Sequence, residues 1–259
     1  MLDGTSRLSF ADGSRIQHFN FISCFAENAV VPAASAVPIP RALAWSEAAL
    51  LGCGAVTGFG AVRNAARVAA GESVCVVGCG GVGLQVVSAA RLAGADPVVA
   101  VDVDATKLQL ATARGASQVI QADGPAAVAA VRALVGGEGV DHAFEVAGRP
   151  ETIRTAFDVL RPGATAIVVG ISPRGADVSL PAQEFLSEKG IRGTYYGSGD
   201  PARDLSDLAD LAVAGTLDLD GVVSHVTDLD GVEEAFERLR RGEGARTVVL
   251  AERPVPSPA

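Results

Sequence analysis

Positive charge is scarce in this chain and lysine almost absent: of 21 lysines and arginines only Lys107 and Lys189 are lysines, and the formal net charge is −9. A pI near 4.8 without a basic cluster argues against a nucleic-acid or anionic-membrane surface, since both need concentrated positive charge. It does not exclude an anionic cofactor, which backbone N–H groups hold locally. The lysine deficit reads as compositional bias rather than function. Cysteine is sparse too. Cys24, Cys53, Cys75 and Cys79 form no C-x-x-C pair and no disulfide framework, which points to a reducing compartment. No apolar run approaches the about 20 residues of a membrane span, and residues 1–10 lack the basic start and apolar centre of a secretory signal. The expectation is a cytoplasmic protein with neither membrane nor nucleic-acid partner. With 49% hydrophobic and 20% charged residues in 259, the chain is long enough for a sizeable core and too apolar to be disordered.

That core is organised around residues 73–102, SVCVVGCGGVGLQVVSAARLAGADPVVAVD. Ser73 to Val77 is a short β-branched run, Gly78-Cys79-Gly80-Gly81-Val82-Gly83 interrupts it, and Leu84 to Leu92 returns at helical spacing. A second apolar run, Pro97 to Val101, ends on Asp102, about 20 residues after the last glycine of the Gly78-x-Gly80-x-x-Gly83 pattern. Strand, glycine turn, helix, strand and acid make the first βαβ unit of a dinucleotide fold. Gly78 permits the tight turn, Gly80 leaves room for a pyrophosphate against the backbone, and Gly83 lets the helix pack on the strand. The helix N-terminus adds unpaired N–H groups and the positive end of its dipole. Asp102 is placed to accept hydrogen bonds from both adenosine ribose hydroxyls and to repel a 2′-phosphate, so the cofactor read here is NAD rather than NADP.

Ahead of this unit, residues 1–40 contain strand-like pieces, Phe19 to Phe25 and Ala29 to Val31, and residues 37–40 form a connector. Ser46 is a plausible N-cap for two short helices interrupted by glycines up to Ala61, and Ala61 to Ala70 continues at helical spacing. After Asp102, helices at 105–114, 125–135 and 151–160 alternate with strands at 117–120, 142–146 and 164–169, followed by a helix at 183–188 and a strand at 191–196. Such alternation predicts an α/β fold, a doubly wound parallel sheet of the Rossmann kind covered on both faces. Helices at 204–214 and 231–240 and strands at 222–226 and 246–250 close the chain, and 254–259 is a frayed, proline-rich tail.

Seven motifs carry a family likeness: LLGCGAVTGFGAV at 50–62, VVGCGGVGL at 76–84, VAVDVDATKL at 99–108, FEVAG at 144–148, VVGIS at 168–172, GTYYGS at 193–198 and EEAFERLRRGEGARTVVL at 233–250. On these the chain resembles the zinc-dependent alcohol dehydrogenases of the medium-chain dehydrogenase/reductase superfamily over nearly its whole length. The resemblance implies an NAD-binding Rossmann domain at 54–196, with 1–53 the remnant of a GroES-like catalytic domain and 197–259 a return to it. It implies Cys53 as a ligand of a catalytic zinc, Thr57 as a contact to nicotinamide, and Val82 on the nicotinamide face. Gly78, Gly80, Gly81 and Gly83 would hold the pyrophosphate, Asp102 and Lys107 the adenosine ribose, and Arg246 the phosphates. Val146, Val169 and Ile171 would line the ribose and nicotinamide, backbone groups of Thr194 and Tyr196 the carboxamide, and Phe19 the substrate pocket. The implied reaction is hydride transfer between a small alcohol or aldehyde and C4 of NAD, with zinc lowering the pKa of the bound alcohol. The strand at 191–196 resembles the family's subunit-pairing edge, which implies a homodimer or homotetramer.

The front of the chain departs from that pattern. The family's other catalytic ligands (a Cys, and a His followed by Glu), its proton-relay hydroxyl and its four-cysteine lobe have no counterpart, and His18, His142 and His225 lie outside ligand motifs. The expectation is a chain corresponding to the C-terminal two-thirds of such an enzyme. Cys53 reads either as a ligand or as a small buried residue, Cys79 as a redox sensor or an indifferent loop position, and Lys107 as a ribose contact or a solvated lysine. Three functions follow: an NAD-dependent, zinc-type alcohol dehydrogenase impaired as this chain alone, a non-catalytic NAD(H)-binding or dimerisation module, or a zinc-independent quinone or enoyl reductase, which Cys53 disfavours.

Overall fold

In the computed structural model, which describes residues 5–6, 8–18 and 22–251, the chain enters its core through one continuous helical run. It consists of α1 (Trp45–Leu50), a π-helical stretch Leu51–Ala55, α2 (Val56–Gly60) and a second π-helical stretch Ala61–Ala66, ending where Arg67 turns left-handed at φ 58°. The glycines therefore do not interrupt the helix as the sequence suggests: Gly52 and Gly54 lie in the first, wider π stretch and Gly58 and Gly60 in α2 itself. Nor is Ser46 the N-cap. Ala44 holds that position, and its N–H donates to Glu47 Oε2 at 3.2 Å from inside the first turn. Upstream, residues 23–31 carry no strand, and the expected strand at 29–31 is absent: among the described residues no strand pairs with it to complete a ladder. Phe19, assigned to a substrate pocket from the resemblance, lies outside the described residues, as do residues 20 and 21 of the strand-like piece.

The centre is a six-stranded, fully parallel sheet of β1 (Val74–Val77), β2 (Val98–Asp102), β3 (Gln118–Gln121), β4 (Val140–Glu145), β5 (Leu160–Val168) and β6 (Gly190–Gly193), in the order β3-β2-β1-β4-β5-β6. The crossovers are α3 (Gly81–Leu92), α4 (Ala105–Ala113), α5 (Gly124–Leu134) and α6 (Pro150–Asp158). Because successive side chains point to opposite faces, Val74, Val76, Ala100 and Phe144 join the core beneath α3 and the helical run. Their alternates Cys75, Val77, Val101 and Ala143 pack with Val131 of α5 and Phe157 of α6. Both faces are covered, which is why β1 and β2 are near-continuous apolar runs. The strand order reverses between β1 and β4, and the crevice above their C-terminal ends is where such sheets bind ligands.

Beyond β6 the chain leaves the sheet through a 3₁₀ turn and forms α7 (Pro201–Val213), β7 (Val223–Thr227), α8 (Val232–Arg240) and β8 (Arg246–Val249), with β7 and β8 paired in parallel. Helix α7 is fastened to the helical run. Asp204, 4% exposed, accepts from Asn64 Nδ2 at 2.8 Å and from Arg63 Nη2 at 2.5 Å. Among the described residues no helix is long and apolar enough to cross a membrane.

The opposite end of the sheet is held by Asp141. Its Oδ2 accepts from Ser73 N at 2.8 Å and Ser73 Oγ at 2.6 Å, and its Oδ1 accepts from Arg161 Nε at 2.7 Å, tying the starts of β1, β4 and β5 together. Burial works against the charge, but the Ser73 bonds and Arg161 outweigh it and bring this carboxyl down to about 2. An acid lowered from its unfolded value of about 3.9 stabilises the fold above that value, and the contribution is lost as pH falls towards about 2. Wild type should therefore exceed Asp141→Asn by about 1–2 kcal/mol at pH 7 in urea unfolding, a gap that closes between about pH 4 and pH 2. A gap independent of pH would assign the effect to packing instead.

Candidate functional site

The site grows from the turn between β1 and α3. Strand β1 ends at Val77 and α3 begins at Gly81, so the chain reverses within the three residues Gly78-Cys79-Gly80. Gly78 takes φ 97°, a region L side chains avoid. A Cβ on Gly83 would fall on the Gly78 carbonyl oxygen, so α3 can start this close to the strand only with glycine there. Gly80 is the N-cap, no side chain caps the helix, and a Cβ on Gly80 would project into open space. The first-turn N–H groups of α3 thus face the crevice, with the positive end of the helix dipole behind them.

Two side chains from distant parts of the chain converge on this turn. Asp102, the last residue of β2, accepts from Cys79 N at 2.7 Å through Oδ2 and from Asp104 N at 2.9 Å through Oδ1. Each carboxylate oxygen keeps a further lone pair for a ligand hydroxyl. Asp104 caps α4 by accepting from Thr106 N at 2.8 Å, and its carboxyl is lowered by those Thr106 bonds. From β8, Arg246 lays its guanidinium against Gly81, where any Cβ would collide with it. Burial lowers the Arg246 pKa while the neighbouring Cys53 side chain opposes the shift, yet guanidinium stays charged in any protein. Its hydrogen bond is to the neighbouring Ala245 carbonyl at 3.2 Å, and it makes no ion pair among the described residues. Helix amides and an unneutralised guanidinium meeting at a glycine fit the diphosphate of a dinucleotide.

The other predicted residues lie along the same crevice. Val82 is half-buried in the first turn of α3, and Thr57 is half-buried in α2. Val146 and Val169 are half-buried just past β4 and β5, and Ile171 is 92% exposed. Lys107 lies half-buried on α4, close enough to Cys79 to act on its ionisation. Thr194 N donates to Val168 O at 3.0 Å, and the Thr194 and Ser198 hydroxyls share a 2.7 Å hydrogen bond. The strand expected to reach 196 stops at Gly193, because Tyr196, Gly197 and Ser198 turn left-handed at φ 52°, 77° and 55°. For tyrosine and serine that conformation is strained. It directs the Tyr196 hydroxyl to donate to the carbonyl of Gly52, beside Cys53, and burial followed by the Cys53 charge raises the phenol pKa. This side-chain role carries no sequence signal, because it depends on a backbone inversion.

The cysteines divide clearly. Cys75 and Cys79 are buried; burial raises both thiols, and Cys79 is pushed up to about 12, which rules it out as a reactive sensor. Cys53 is exposed rather than buried, within the first π stretch. Among the described residues no group of three or more His, Cys, Asp or Glu could hold a metal ion. A catalytic zinc takes three protein ligands and an open position, so the described residues do not fit one.

A family profile described as zinc-binding dehydrogenase matches residues 81–214. S-(hydroxymethyl)glutathione dehydrogenases from Synechocystis sp. and Photobacterium damsela subsp. piscicida are 33% and 35% identical to the chain, covering 96% of it and 68% of their own length. A crystal structure of an alcohol dehydrogenase zinc-binding domain protein from Burkholderia ambifaria superposes with a TM-score of 0.89 at 31% identity, over 97% of this chain and 68% of the other. Benzyl alcohol dehydrogenase from Acinetobacter calcoaceticus gives 0.77 at 30% identity over 82% and 59%.

Gly83→Ala should destabilise the protein by about 1–3 kcal/mol and remove dinucleotide binding, because the new methyl meets the Gly78 carbonyl. Urea unfolding combined with calorimetric titration of ADP measures both. Unchanged stability with unchanged ADP affinity would mean that α3 and the turn are not in contact.

Proposed function

The chain belongs to the zinc-binding dehydrogenase family, and on that footing we propose that it is an NAD-dependent oxidoreductase interconverting a small alcohol and its aldehyde or ketone. The observation that carries the reading is the convergence of the α3 amides and the Arg246 guanidinium on Gly81, with the Asp102 carboxylate at the adenosine end of the same crevice. In this reading Gly78, Gly80, Gly81 and Gly83 cradle the diphosphate, Asp102 and Lys107 take the ribose, and Arg246 neutralises the phosphates. Thr57, Val82, Val146, Val169 and Ile171 wall the nicotinamide, and Thr194 and Tyr196 orient its carboxamide. When bound, the nicotinamide exchanges a hydride with the carbinol carbon. The protein's part is to align the two and keep water from the reacting face. Residues 54–196 form the dinucleotide domain, and 1–53 with 197–259 belong to the catalytic domain, which the separate β7–β8 sheet supports.

The protein is cytoplasmic and forms a homodimer or homotetramer through β6. That strand is the edge of the sheet, and beside it Leu186 and Tyr195 are each 85% exposed. A second reading, an NAD(H)-binding module without turnover, is favoured by Cys53 belonging to no group of three or more metal-ligating side chains among the described residues. Calorimetry separates these from a non-nucleotide role. Wild type should bind NADH at least about tenfold more tightly than NADPH, since Asp102 opposes the 2′-phosphate, and Asp102→Ala should narrow that ratio while weakening NADH binding. Equal affinity for the two cofactors, or none for either, overturns the assignment; binding without oxidation of a panel of primary and secondary alcohols selects the module.

A further inference from the structure

We propose that Glu145 is the positioning residue for the nicotinamide end of the crevice, its carboxylate and carbonyl fastening the turn after β4 to the turn after β5. The proposal rests on the dinucleotide reading of the site. Glu145 ends β4 in the middle of the sheet, in register with Val77 of β1 and Val168 of β5, and is fully buried. Its Oε1 accepts three hydrogen bonds, from Ala147 N at 2.8 Å, Gly148 N at 2.6 Å and Thr152 Oγ1 at 2.7 Å. Its main-chain oxygen accepts two more, from Val169 N at 2.8 Å and Gly170 N at 3.0 Å. One residue thereby fixes Val146 on one side and Val169 and Ile171 on the other. Neither turn has slack: a Cβ on Gly148 would lie 2.5 Å from Ile171 O, and a Cβ on Gly170 would lie 2.7 Å from Glu145 Oε2.

Stability alone does not account for this carboxylate. Oε2 is buried with no hydrogen-bond partner, and no lysine or arginine pairs with Glu145 among the described residues. An unpartnered buried oxygen on an ionisable group costs stability that a neutral side chain would keep. What the carboxylate supplies is geometry. A single sp² oxygen gathers three donors from the turn and from α6; a shorter side chain does not reach them, and a neutral one holds them more weakly. Glutamine in one orientation turns its NH₂ to the three donors; in the other its carbonyl oxygen keeps them as a neutral, weaker acceptor, with the NH₂ at the position of Oε2, which has no hydrogen-bond partner.

The test separates the two ends of the dinucleotide. ADP engages only Asp102, Lys107, the α3 turn and Arg246, whereas NADH also meets Val146, Val169 and Ile171. In calorimetric titrations of the full chain, Glu145→Gln should bind ADP within about twofold of wild type and NADH about tenfold more weakly. Thr152→Val, which removes one of the three donors at a half-buried position in the first turn of α6, should weaken NADH by about threefold with ADP unchanged. A purely structural role would move both ligands together. Equal losses for ADP and NADH in both variants, or no loss of NADH in either, overturns the proposal, and Thr152→Val decides it if Glu145→Gln does not fold. If wild type itself binds neither ADP nor NADH, the dinucleotide reading falls first and takes the role of Glu145 with it; wild-type binding with unaltered variants defeats the role of Glu145 alone.

Discussion

The contact between the Gly78 carbonyl and Cα of Gly83 is the constraint on which the rest of this molecule depends. A helix that starts three residues after a strand points its first N–H groups along the edge of the sheet, and any side chain at Gly83 would push it off. Once α3 is seated there, Asp102 on the neighbouring strand lies within hydrogen-bonding reach of the Cys79 amide and holds the turn from the other side. The same placement leaves Gly81 bare, so that a guanidinium from β8 can lie flat against it. Local chain geometry and the hydrogen bond from Cys79 to Asp102 thus follow from the missing methyl group at Gly83, and the docking of the long-range cation from the one at Gly81.

A second set of close approaches brings the end of the chain back to its beginning. A Cβ on Gly60 would lie 2.5 Å from Gly197 Cα, and Asp204 bonds Arg63 and Asn64 from the first turn of α7. These contacts press the 196–198 turn onto the helical run and place the Tyr196 hydroxyl on Gly52. Cys53 is consequently next to a phenol and a guanidinium that lie more than a hundred residues away in sequence. The thiol is exposed, on a π stretch whose wider turn displaces it from ordinary helical register. Its neighbourhood is therefore built by tertiary packing, while the described residues bring together no group of three or more metal-ligating side chains.

Where local chemistry and tertiary packing agree, the sequence was legible almost to the residue. Strands β1 and β2 and helices α4 to α6 combine unmistakable periodicity with glycine, aspartate or proline at their ends, as at Asp104 and Pro150. Legibility failed where packing overrides local preference. The glycines at 52, 54, 58 and 60 look like breaks, yet the helix runs through them, and those at 58 and 60 mark where α3 and the 197 turn approach it too closely for side chains. The last strand appeared to run to Tyr196, because nothing in GTYYGS announces a left-handed tyrosine. At the site, the positions of the glycine turn, Asp102 and Arg246 were readable from spacing and family likeness. The hydrogen bonds of Glu145 were not, since a buried acid at a strand end resembles any other acid until its partners are known.

The acidic balance of the chain and an anionic ligand are compatible because the relevant charges act at different ranges. At physiological ionic strength a charge is screened beyond about 8 Å, so the net −9 acts weakly on a group inside the crevice. There the nearest charges are the Arg246 guanidinium, which has no ion-pair partner among the described residues, and the partial positive end of α3. Asp102 is the nearby negative exception, and two backbone N–H groups already offset it. That leaves a carboxylate able to accept from sugar hydroxyls while still opposing a phosphate placed directly upon it. In the proposed NAD complex, selectivity for an unphosphorylated ribose and tolerance of a diphosphate would follow from the same arrangement, the first from contact with Asp102 and the second from the amides and guanidinium at Gly81.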